Sequence, residues 1–147
     1  MGKAMWSVQL LEFGIAHFVV ANKQPLPTTQ EELQNALGQE FHRTLGQLAH
    51  TVGAAQNLPT DFEDEISWLV DERNWLAHKI RSQNHNDIYH FDKFNSLLDR
   101  LTELDRRAMN LVKTITELLE KWTVSRGVSK KELDAEVNRL YCQWKFP

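Results

Sequence analysis

At 147 residues, 41% hydrophobic and 25% charged, the chain has a one-domain length and an ordinary globular composition, enough to bury a core without covalent staples. A formal net charge of -3 argues against a protein held to nucleic acid by a broad basic surface, but leaves room for a local basic site. One cysteine, Cys142, excludes an internal disulfide framework and fits a reducing compartment.

The first helix is expected from about Lys3 to Ala21. Glu12 and His17 interrupt its apolar run, and no small-residue cleavage site follows a basic segment. It therefore reads as a packed helix of a mature cytoplasmic protein, not a secretion signal. No run approaches about 18 uncharged apolar residues, so no membrane span is expected. Asn22 and the Pro25–Pro27 stretch end the helix.

Thr28 with Glu31 and Thr29 with Glu32 offer two overlapping capping boxes. Leu33, Leu37, Phe41, Leu45 and Leu48 then recur at helical spacing, predicting a second helix with Gly38 and Gly46 as weak points. Residues 53–59 form a connection. A third helix is expected from about Thr60 to Arg81, with Asp61, Glu63, Asp64 and Glu65 at the positive end of its dipole.

The polar stretch 82–87 ends the third helix. The fourth and longest is predicted from about His90 to Trp122, on a seam of Phe94, Leu97, Leu101, Leu104, Ala108, Leu111, Ile115, Leu118 and Trp122. Ser129 with Glu132 opens a short last helix beyond Gly127. No segment alternates with period two. The expected fold is all-α: an antiparallel helix bundle of four main helices plus a short C-terminal helix, one domain over residues 1–147.

Arg73 is the least comfortable residue in this pattern. It falls near the centre of the apolar arc of the third helix, among Phe62, Ile66, Leu69, Val70, Leu76, Ala77 and Ile80. A buried guanidinium needs carboxylates, carbonyls or an anion around it. Either Arg73 pairs inside the bundle with an acid such as Asp99 or Asp105, or the arc lines a cleft or subunit interface where Arg73 meets a phosphate. Asn74 and His78 lie four apart beside it. An imidazole can accept or give a proton near neutral pH.

Trp68 and Trp75, seven apart, read as packing residues more than base-stacking ones. Lys79, Arg81 and His85 gather positive charge after the motif, and Arg106–Arg107 adds to it from the fourth helix. Asp61, Asp64, Glu65, Asp71 and Glu72 read as helix-start acids and surface charge, not as a paired-carboxylate site. The histidines His17, His42, His50, His78, His85 and His90 form no HxxxH or HExxH pattern, so neither a metal nor another cofactor is expected.

The stretch Arg73-Asn74-Trp75-Leu76-Ala77-His78 resembles the signature of the HEPN superfamily: an arginine, a polar residue and a histidine four to six residues on, near the end of a helix. Thr44-Leu45-Gly46-Gln47-Leu48 resembles a segment of bacterial toxin- or defence-type members. The resemblance covers about residues 30–122. It implies a small helical bundle that works as a homodimer and cleaves RNA without a metal, within a toxin–antitoxin or phage-defence system. His78 would then move a proton at the ribose 2′-hydroxyl or the leaving oxygen. Arg73 would stabilise charge on the phosphate, and Asn74 would orient the phosphate or His78. Lys79, Arg81 and His85 would hold the RNA backbone, and an antitoxin protein would be a partner. The same superfamily includes members without catalysis, so a helical protein–protein interaction module is the alternative.

Overall fold

Two reciprocal capping boxes set much of the chain's punctuation. A computed structural model of the protein describes residues 2–23, 25–53, 58–84 and 86–145. Helix α1 spans Gly2–Ala21, α2 Gln30–Phe41, α3 Leu45–Gly53, α4 Phe62–Asn74, α5 Ile80–Asn84, α6 Phe91–Ser125 and α7 Lys130–Lys145. At the start of α2 the Thr29 side chain accepts from the Glu32 backbone N–H, and the Glu32 carboxylate accepts from the Thr29 N–H in return. Ser129 and Glu132 repeat this arrangement before α7. No strand is present among the described residues, and the helices pack into a bundle.

The expected single second helix is two helices. Phe41 ends α2, and Thr44 opens α3 with a third reciprocal cap, its backbone N–H donating to the Gln47 side chain and its hydroxyl accepting from the Gln47 N–H. Glu40 stabilises the break: its carboxylate, buried at the end of α2, takes Lys23 and Arg43 at 2.7 and 2.6 Å. Burial pushes the Glu40 carboxyl upward, but the hydrogen bonds from Lys23 and Arg43 outweigh it and hold the group below its ordinary range.

Helix α1 is the central element. Val8, Leu11, Ile15, Ala16, Phe18, Val19 and Val20 are all buried, chiefly against α6 and then against α2 and α3. Lys3 and Ser7 bond Asp105, and further along both helices Gly14 faces Ile115, so α1 and α6 run in the same direction. A Cβ at Gly14 would come within 3.3 Å of Ile115 Cγ2, so glycine is what lets the two helices approach here. Helix α4 runs antiparallel to α6, as the pairs Glu65–Arg107 and Glu72–Arg100 show. One apolar cluster joins α1, α3, α4 and α6, including Leu11, Ile15, Leu48, Leu69, Leu104 and Ile115.

By length and hydropathy alone α1 is long and apolar enough to cross a membrane, and half of its most apolar window is buried inside the bundle. Helix α7 differs from the rest. Of its residues 130–139, only Leu133 is even half-buried, and one ion pair, Lys130–Glu120 at 2.7 Å, ties its first turn back to α6.

Candidate functional site

The Arg73 motif sits where the helical path departs from α geometry. After Asn74 the chain widens into a π turn over Trp75–Lys79, closed by the Ile80 N–H donating to the Trp75 carbonyl, and continues as α5. The expected third helix is therefore one continuous helical path with an extra residue inserted in a single turn. Such turns shift the azimuth of everything beyond them and occur frequently at functional sites. Within the turn, Ala77, expected on the apolar arc, is exposed, while Trp75 and Leu76 at its start are buried.

Arg73 projects toward α1, not toward either acid expected for it. Its side chain is 28% exposed, and its Nε lies 3.5 Å from Oε1 of Glu12. Asp105 is engaged by Lys3 and Ser7 instead, and Asp99 is exposed. The Glu12 oxygen facing Arg73 is buried and makes no hydrogen bond of ordinary length among the described residues. Burial raises the Glu12 carboxyl above its ordinary value of 4.5, opposed by the Arg73 charge and by the Leu45 backbone N–H at the start of α3. The Arg73–Glu12 contact is thus long and incompletely satisfied on the carboxylate side.

Asn74, His78 and Lys79 are exposed, on the same helical path as Arg73. Arg81 lies in α5, but its side chain falls outside the described residues, as does His85. The basic group expected from α6 is not free: Arg106 is bonded twice to Glu103 on its own helix, and Arg107 is bonded twice to Glu65 of α4. Among the described residues no three His, Cys, Asp or Glu side chains gather in a group able to hold a metal ion.

Glu65 and Glu72, expected as surface charge, are structural. The Arg107 guanidinium lies 3.8 Å from the Trp68 ring centroid while bonded to Glu65, and that of Arg100 lies 3.7 Å from the Trp75 ring centroid while bonded to Glu72. Each arginine is held by a bidentate carboxylate and an indole from the same helical path. Both tryptophans pack as expected, Trp75 within the apolar cluster and Trp68 against it, and each also carries an arginine on its ring. Glu12 is the residue the sequence reading missed as the partner of Arg73. Its signal was a lone acid in the apolar α1, facing a lone base in the apolar arc of α4.

Two concavities flank the motif. One lies between α3 and α4, about 560 Å³, with Ala49, Ile66 and Val70 beside His50 and Asp71. The other, about 550 Å³, lies between Trp75 and the first turns of α6. In comparisons with known proteins, no family model, no curated protein and no solved structure matches the chain.

Proposed function

We propose that the chain is a metal-independent endoribonuclease of HEPN type, working as a cytoplasmic homodimer in a toxin–antitoxin or phage-defence setting. The observation that carries this reading is the state of the motif: Asn74 and His78 are exposed on the same helical path as an arginine whose one ion pair among the described residues is long. No described carboxylate takes the two terminal nitrogens of its fork, the donors that suit a phosphate. In the proposed reaction His78 takes the proton of the ribose 2′-hydroxyl or gives one to the leaving 5′-oxygen. Arg73 offsets the charge that builds on the phosphate, and Asn74 orients one of the two. Lys79, with Arg81 and His85, contributes to holding the backbone, and a second subunit brings a second copy of the motif.

The Glu12 contact favours a second reading, a helical interaction module without catalysis, in which Glu12 neutralises Arg73 permanently. The two separate in one assay. Purified protein is incubated with mixed structured and single-stranded RNA in EDTA, beside folded His78→Ala and Arg73→Ala variants. Under the first reading the wild type cleaves and each variant loses about 100-fold or more. No cleavage by a well-folded wild type moves the conclusion to the interaction module.

A further inference from the structure

Helix α1 turns one side to the core and leaves much of the opposite side in solvent. Trp6 and Phe13, two turns apart on that outer side, are 61% and 53% exposed, with half-buried Leu10 between them. Helix α2 extends the surface. Phe41, 45% exposed, stacks on Phe13 with ring centroids 5.1 Å apart and planes within 10°. Leu37 and Leu33 precede it along α2 at four-residue steps, on the same side of the helix. His17 tilts against both rings, at 4.3 and 5.8 Å. The Phe13–Phe41 stack thus joins two helices into one apolar face and fixes its aromatic centre before any partner arrives.

The size and charge of this face select its occupant. Three aromatics about half exposed, with the leucines beside them, offer roughly 400 Å² of apolar surface. A homodimer of standard size buries about 800 Å² per subunit, about 500 Å² of it apolar, so the face supplies most of what is needed. Charge points the same way. The charged residues of α1 are Lys3 and Glu12, and each is turned to its own chain, to Asp105 and Arg73. On α2, Glu32 caps the helix, Glu40 holds Lys23 and Arg43, and Glu31 stands in the exposed first turn, ten residues before Phe41. A partner chosen by charge finds nothing to pair with at the aromatic centre. A second copy meets the same neutral surface there without repulsion, although each copy carries a net charge of -3. We propose that two copies associate about a twofold axis through this α1–α2 face, each covering the other's Trp6, Phe13 and Phe41. Glu12, the residue before Phe13, faces Arg73, so the second copy packs on the helix that holds the arginine of the motif. The face gives the homodimer of the proposed function a location, and its formation does not depend on RNA cleavage.

Sedimentation velocity on the full chain without RNA, from about 1 to 100 µM, reads the association, and the wild type is expected to dimerise with a Kd below about 10 µM. Trp6→Glu and Phe13→Glu, both outside the core, are each expected to weaken the dimer at least about 30-fold with unchanged helix content, as loss of an aromatic at an interface centre does. Phe91→Glu, which removes a still more exposed aromatic at the start of α6, should leave association as it is. A wild type that stays monomeric at about 100 µM overturns the proposal, whatever its activity on RNA. A dimer undiminished by Trp6→Glu, or one that Phe91→Glu weakens as much, overturns the assigned face. Should Phe13→Glu unfold, Trp6→Glu decides alone.

Discussion

Glu12 and Arg73 form an asymmetric pair. The two side chains are about equally exposed, at 28% and 24%, but one carboxylate oxygen is buried and has no close donor among the described residues. Because its folded pKa lies above the ordinary 4.5, Glu12 holds its proton more tightly in the folded than in the unfolded protein. Its contribution to stability is therefore fully present below about pH 4.5 and is lost as pH rises through the folded value. Glu12→Gln is neutral at every pH, so the difference in unfolding free energy between variant and wild type should change across that window in the variant's favour. Denaturant unfolding at a series of pH values checks this. Parallel curves for the two proteins would mean that Glu12 ionises as freely folded as unfolded.

Among the elements, α1 and α6 approach closely at Gly14. Gly14→Leu places a branched side chain where Ile115 already stands at 3.3 Å from a Cβ position. The expected cost is about 1–3 kcal/mol, read as a lowered unfolding midpoint with unchanged helix content. Helix ends were legible where side chain and backbone cap each other within one turn, as at Thr29 and Ser129. The break at residues 42–44 was hidden because Leu33, Leu37, Phe41, Leu45 and Leu48 keep helical spacing straight across it. The Thr44–Gln47 pair was the available sign. Periodicity assigns a face to each residue but not a partner. It could mark Arg73 as misplaced and could not point to Glu12, which lies in a helix remote along the chain. The π turn is equally silent in the sequence, since it changes the count per turn without a proline or glycine to announce it.

On the scale of the whole molecule, α7 stands apart from the bundle. Its first ten residues are exposed almost without exception, and Gly127, at φ 93°, turns the chain out of α6 in a left-handed conformation that suits glycine. Ending the chain after Gly127 should leave the cooperative thermal transition of the bundle within a few degrees of the full-length value. Calorimetry on both lengths decides it, and a large drop would assign α7 to the core. The all-helical architecture was readable from apolar spacing alone. Which helices touch was not, and α1 against α6 is the case in point: two parallel neighbours separated by most of the sequence.

The two Trp–Arg–Glu units have a consequence for how α4 and α6 find each other. Glu65 with Trp68 and Glu72 with Trp75 repeat at seven residues, and so do Arg100 and Arg107. A slide of α6 by one heptad, about 10 Å, would still satisfy one unit, with Arg107 on Glu72 and Trp75. The polar contacts are thus an ambiguous ruler. The apolar seam through Leu101, Leu104, Ala108 and Leu111 must choose the mark. The double variant Glu65→Arg, Arg107→Glu would keep an opposite-charge pair in the native register. In the slipped register it would bring the new carboxylate at position 107 against Glu72, and the ruler would then read only one way.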